Sequence, residues 1–176
     1  SLKITLEHIT TKDSVKFVKA HKNIAATITP HHLLENTYTF VGGSLRPELF
    51  CKPIIKNYLH QNELQKVALS GHKQFFFGSD SAPHLKKAKF TEFCCAGVYS
   101  TKYAISNILE FFWLNKKTVN LDKFLTINGS NHYSLDFDKK IINYKRNKNS
   151  KVQKFTKFEG DFLINYNHYN NLWSQA

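Results

Sequence analysis

The apolar positions along this chain change their period several times. Lys3 to His8 (KITLEH) alternates as a strand does, and Thr11 to His21 (TKDSVKFVKAH) then spaces Val15, Phe17 and Val18 for one helical face. Ile24 to Thr29 (IAATIT) is a second strand, closed by Pro30. A long Gly- and Pro-containing connection, HHLLENTYTFVGGSLRPELFCKP, leads to a helix predicted from about Ile54 to Leu69, whose apolar positions are Ile55, Leu59, Leu64, Val67 and Ala68. Gln74 to Phe77 reads as a third strand. Tyr103 to Leu114 (YAISNILEFFWL) is a strongly apolar helix, Leu121 to Ile127 a short one, and the remainder carries alternating patches such as VQKF and DFLINY. Strands separated by helices predict a parallel sheet in an α/β fold.

Composition narrows the class. With 176 residues, 41% hydrophobic and 14% aromatic, the chain is long and apolar enough for one domain with a sizeable core. No stretch approaches the roughly 18 uninterrupted apolar residues of a membrane span, and the opening SLKITLEHITT lacks the order of a signal peptide, so a cytoplasmic protein is expected. Cys51, Cys94 and Cys95 form neither a disulfide framework nor a zinc-ribbon spacing, which predicts reduced thiols.

The net charge of +12 invites a nucleic-acid reading. The excess, however, is concentrated between Lys139 and Lys157, where no acidic residue occurs, and arginine appears only as Arg46 and Arg146. A local lysine run of this kind is ordinarily a solvated surface, which argues against nucleic-acid binding.

Two strands end in residues that chemistry uses. His8 closes the first, and Asp80 follows the third in FFFGSDSAPH, with His84 four residues on. In a (β/α)8 barrel the catalytic groups stand at the carboxyl ends of the strands, where the loops converge. On the pattern alone, His8 is equally a hydrogen-bonded core histidine and Asp80 a turn or helix cap. His31 and His32, after Pro30, fit either groups that orient a ligand or a loop; Cys94 and Cys95 read as buried packing, and Phe111, Phe112 and Trp113 as helix packing.

The segments LEHITTKDSVKFV, ATITPHHLLEN, GGSLRPELFCKPIIK, FGSDSAPH and CCAG resemble, in order and approximate spacing, the carboxyl-terminal part of the bacterial-type, single-function dihydroorotases of the amidohydrolase superfamily. The resemblance runs from Ile4 to about Ser134. It implies the C-terminal part of a TIM-type (β/α)8 barrel over residues 1–134, with residues 135–176 as a lysine-rich extension packing on the barrel. It also implies a zinc-dependent hydrolase of cyclic amides that interconverts dihydroorotate and N-carbamoyl-aspartate in pyrimidine biosynthesis.

The resemblance assigns roles position by position. His8 would ligate the more exposed zinc of a binuclear pair, and Asp80 would ligate the other while serving as the proton-transfer group. His84 would contact the substrate carboxylate, Ala96 would donate a backbone contact, and Lys52 would meet the pyrimidine ring through its main chain. The chemistry is coherent: a cyclic amide resists neutral water, zinc can supply a nucleophile near neutral pH and polarise the carbonyl, and Asp80 can carry the proton to the departing nitrogen.

Other parts of the family pattern have no counterpart. The HxH pair, the carboxylated lysine and a further histidine ligand are not found in this sequence, and three strands fall short of the eight that close a barrel of about 250 residues. The expectation is therefore a partial enzyme, inactive alone and not fully loaded with zinc. It would be completed by a missing amino-terminal half or a second chain, within a homo-oligomeric enzyme acting on a small molecule. A hydantoinase- or allantoinase-type hydrolase, for which His84 and the FCKP segment would be out of character, and a non-catalytic polyanion-binding module are the alternatives.

Overall fold

The computed structural model describes residues 2–136 and 140–176. Strands β1 (Ile4–Leu6), β2 (Ile24–Ile28) and β3 (Phe75–Phe77) form a parallel sheet in the order β1-β2-β3. The register pairs Ile4 with Ile24 on one side, and Ala26 with Phe75 on the other. The central strand β2 is buried along its whole length, as its uninterrupted apolar run requires of a parallel strand covered on both faces.

Helix α1 (Lys12–Ala20) crosses from β1 to β2; Thr11 begins it by accepting the Ser14 N–H at 3.0 Å, and Val15 and Val18 are buried. Helix α4 (Tyr58–Leu69) precedes β3. It starts four residues later than the sequence predicts, because the Asn57 side chain caps the Leu59 and His60 N–H groups while Ile54 and Ile55 stay extended. The connection before it is more regular than a loop, containing α2 (Pro30–Leu34), α3 (Thr37–Val41) and a 3-10 turn at Pro47–Leu49. Thr29 caps α2 and Asn36 caps α3, the latter in a reciprocal pair with Thr39.

Beyond β3 come α5 (Lys86–Lys89) and α6 (Ala104–Leu114). The predicted Leu121–Ile127 helix is a π-helical segment at Lys123–Ile127 that runs into α7 (Asn128–Tyr133). One core joins Val18, Ile28, Leu33, Leu64, Phe75, Ile108, Phe112 and Phe124. Phe111 and Phe112 are buried, but Trp113 is half exposed and lies 5.7 Å from the Trp173 ring.

Residues 144–175 contain two antiparallel pairs: β4 (Tyr144–Asn147) with β7 (Leu172–Gln175), and β5 (Phe155–Phe158) with β6 (Asp161–Ile164). The basic run begins at Lys139, which lies outside the described residues, and Arg146 within it is not a free surface charge. Its guanidinium donates to both oxygens of Glu110, at 2.7 and 2.6 Å, and the Glu110 side chain is fully buried. Asn171 and the Trp173 indole N–H complete the set at 3.0 and 2.9 Å.

The fork of the Arg146 guanidinium holds the Glu110 carboxyl down to about 2. Glu110 therefore contributes stability that is fully present above the ordinary carboxyl value of 4.5 and is lost as pH falls from there toward about 2. Arg146→Ala leaves the buried carboxylate without its cation and should lower stability measurably. Urea unfolding near neutral pH checks the loss, and repeating it in acid should show the gap between parent and variant narrowing through that window. A variant as stable as the parent would mean that this ion pair does not hold the tail to α6.

Candidate active site at the carboxyl ends of the strands

All three parallel strands deliver their carboxyl ends to one rim. Thr27, in β2, organises it. Its hydroxyl accepts the His8 N–H at 2.8 Å and donates to Glu7 Oε2 at 2.7 Å, while its carbonyl accepts the Ile9 N–H at 3.1 Å. Gly78 lies against the same threonine so closely that a Cβ there would stand 2.7 Å from Thr27 Cβ. The turn after β1 and the turn after β3 are thus both set against one residue of the central strand.

His8 and Asp80 come together at this rim: His8 Nε2 lies 3.6 Å from Asp80 Oδ1, and both side chains are 28% exposed. Both residues have left-handed backbone, with φ of 57° at His8 and 38° at Asp80. Such conformations cost roughly 1–3 kcal/mol each and concentrate where function demands a particular side-chain direction. His8 Nδ1 is buried with no hydrogen-bond partner. The nearest charged atom to it is Glu7 Oε2, 4.0 Å away.

His8 Nε2 facing a carboxylate that takes no hydrogen bond from a described side chain is a donor pair suited to zinc. Two donors do not close a tetrahedral site, and any further ligands must come from other residues. His31, His32 and Cys51 gather three more candidate atoms within 4.8 Å of one another. Two of these are committed elsewhere. His32 is hydrogen-bonded through Nδ1 to Thr29 Oγ1 at 2.8 Å and through Nε2 to the Pro53 carbonyl at 2.7 Å. Burial, with the Asp80 charge adding to it, pushes the Cys51 thiol up to about 11, which keeps it protonated. His31 is buried with both nitrogens unpaired, and desolvation holds it neutral. The trio therefore packs behind the rim as uncharged groups.

The segment after Asp80 is laid against the CCAG segment. Ala82 N–H donates to the Val98 carbonyl at 3.1 Å, and the Ser81 hydroxyl accepts the Ser100 and Thr101 N–H groups at 3.1 Å. This brings His84 to Ala96, whose carbonyl accepts from His84 Nε2 at 3.0 Å. Gly97 N–H donates to the Phe50 carbonyl at 2.8 Å, which draws in the strand of chain that carries Lys52. The Lys52 side chain itself is exposed. Cys94 and Cys95 are half-buried rather than buried, and among the described residues no disulfide forms.

Sequence reasoning missed a second polar cluster. Buried Glu35 accepts from Tyr166 Oη at 3.0 Å and His168 Nδ1 at 2.9 Å, tying the tail to the end of α2. The His168 contact left no periodic signal, since the partner lies 133 residues away. An open cleft of about 320 Å³ beside it is lined by Arg46, Glu48, Lys154 and Tyr166 and includes none of His8, Asp80, His84 or Ala96.

Comparison with known proteins gives the arrangement a context. No family model matches. A curated dihydroorotase of Idiomarina loihiensis is 47% identical over 135 residues, 76% of this chain and 39% of that protein. The crystal structure of dihydroorotase from Campylobacter jejuni aligns over 99% of this chain and 51% of its own, at a TM-score of 0.86 and 36% identity. The Saccharomyces cerevisiae dihydroorotase, solved in complex with 5-fluoroorotic acid, aligns over the same shares at a TM-score of 0.84 and 32% identity. The chain is homologous to dihydroorotases and spans about 40% of the length of the curated relative and half of the solved chains.

Gly97 is the tightest point of the rim. Its φ is 154°, and a Cβ there would stand 2.7 Å from both Cβ and the carbonyl oxygen of Ala82 and 2.8 Å from His84 Cδ2. Gly97→Ala should destabilise the protein by about 1–3 kcal/mol through strain and overpacking and push the His84 ring off Ala96. Thermal unfolding and the imidazole NMR signals of His84 check this; an unshifted ring in a variant of parental stability would disprove the close packing.

Proposed function

We infer that this chain is the carboxyl-terminal part of a dihydroorotase, a hydrolase that opens the dihydroorotate ring to N-carbamoyl-aspartate and closes it again. The observation that carries the reading is the meeting of His8 and Asp80, 3.6 Å apart at the ends of two different strands and both in left-handed backbone. Homology to dihydroorotases over most of the chain supports it. In the complete polypeptide His8 and Asp80 would hold zinc together with ligands from outside these residues. Zinc, when bound, supplies polarisation of the ring carbonyl and a nucleophile at neutral pH.

Asp80 accepts the proton of the attacking water at a carboxylate oxygen and delivers it to the ring nitrogen as the amide bond breaks. Ring closure runs the same transfer backwards. His84 meets the substrate carboxylate. Its Nε2–H is directed at the Ala96 carbonyl, so the contact falls to Nδ1, which donates when the ring is protonated. Ala96 and Lys52 contribute main-chain groups to the substrate. No described helix is long and apolar enough to cross a membrane, and Cys51, Cys94 and Cys95 are free thiols. Both accord with an enzyme of the cytoplasm, which we expect to be homo-oligomeric when complete.

The test is steady-state kinetics in both directions on the complete enzyme, with zinc content and thermal stability measured for each variant. Asp80→Asn keeps the size and one oxygen but removes the proton-carrying site, and should lower kcat by about 100-fold or more. His84→Ala should act chiefly on KM, because a carboxylate contact made in both ground and transition states is uniform binding. An Asp80→Asn enzyme that kept its metal and turned over within about tenfold of the parent, roughly 1.4 kcal/mol in barrier, would remove Asp80 from the mechanism.

A further inference from the structure

Lys89 closes α5 within a run, KKAK, that reads as surface, yet it is only 3% exposed. Its ammonium donates to three backbone carbonyls: Phe50 at 2.9 Å, Cys95 at 2.7 Å and Gly97 at 2.9 Å. Three acceptors match the three protons of the ammonium, while burial lowers its pKa from the ordinary lysine value. Among the described residues no carboxylate lies within 4 Å of it. Taking an ammonium out of water is costly, and a site that bears this cost with peptide dipoles alone ties those peptides to one point.

The peptides it gathers have a pattern. Cys95 and Gly97 turn both their main-chain groups toward the Phe50 and α5 side: Cys95 N–H goes to the Ala88 carbonyl at 3.2 Å and Gly97 N–H to the Phe50 carbonyl at 2.8 Å, while both carbonyls go to Lys89. Ala96, between them, turns its carbonyl the other way, to His84. The Ala96 N–H has no backbone acceptor among the described residues, so it is left available beside the carbonyl that His84 engages.

We propose that Lys89 is the positioning residue of the substrate-carboxylate site: its buried ammonium pins the peptides on either side of Ala96, holding the Ala96 peptide beside His84, and fixes that segment's spacing to Phe50 and hence to Lys52. This rests on the dihydroorotase reading for the identity of the anion. The positioning itself does not depend on it. Lys89 touches no substrate; it acts through the peptides it holds.

The experiment uses the complete enzyme with Lys89→Met, which keeps the length and loses every donor, and Lys89→Gln, which keeps a neutral donor pair. Lys89→Met should raise KM for dihydroorotate by about tenfold or more with kcat changed by less than about threefold, and Lys89→Gln should fall between it and the parent. Amide hydrogen exchange should rise in 50–53 and 94–97 together while β2 and β3 keep their protection. A general loss of stability would not produce that split. A folded Lys89→Met with parental KM, or with unchanged exchange in those two segments, overturns the proposal; if Lys89→Met does not fold, the same readouts on Lys89→Gln decide. A parent enzyme without activity toward dihydroorotate sinks the functional reading alone, and the exchange data still decide the role of Lys89.

Discussion

Everything at the rim is referred to β2. This strand is paired on both edges and buried on both faces, so its backbone hydrogen bonds are committed and its side chains have nowhere to move. The one polar side chain near its carboxyl end, Thr27, is buried, and its hydroxyl can be satisfied only by the chain leaving β1. The threonine therefore does for the β1 turn what a cap does for a helix: it converts an unpaired polar atom into a fixed direction. Gly78 brings the β3 turn to the same residue by having no side chain to keep it away.

The polar groups that hold the outer layers follow one rule at three places. Glu110, Glu35 and Lys89 are each buried ionisable side chains, and each has at least one partner distant in sequence. A buried charge is costly to leave unmatched and so specifies its partners more sharply than an apolar contact does. Glu110 specifies where β4 and β7 lie against α6, Glu35 where the 166–168 stretch lies against α2, and Lys89 where two loops lie against α5. The Glu110 and Glu35 contacts and the Leu85 to Leu163 bridge join the tail to the α/β portion.

This division explains what the sequence made legible. The strands and the longer helices were readable because burial imposes a period on their apolar residues, and the alternation of Ile4–Leu6, α1 and Ile24–Ile28 needs no distant information. His8 and Asp80 could be singled out because a strand's end is visible and the polar residues just past it can be named, although β1 stops at Leu6 and His8 lies in the turn that follows. Helices α2 and α3 were not: each is five residues long, too short to show a period, and depends on the caps Thr29 and Asn36. Lys89 and Arg146 were hidden for a different reason. A lysine in KKAK and an arginine in YKRN carry no local sign of burial, and their environment is created by carbonyls and a carboxylate that only tertiary structure supplies.

The left-handed backbone at His8 and Asp80 has a geometric cause in the sheet itself. β1 and β3 are separated by β2, and at about 4.8 Å per neighbouring strand their backbones lie roughly 10 Å apart. Side chains standing perpendicular to the sheet at those ends would remain at that separation. To bring Nε2 of one within 3.6 Å of Oδ1 of the other, both must lean inward over the end of β2. A residue continuing in extended backbone cannot lean that way, because its Cβ direction is set by the pleat. Reversing the sign of φ at each strand end redirects the Cα–Cβ bond toward the neighbouring strand, and histidine and aspartate are among the residues that tolerate it. The left-handed backbone at the two positions thus accompanies the convergence of two side chains from non-adjacent strands, and on the β1 side the His8 N–H to Thr27 hydrogen bond holds the turn in place.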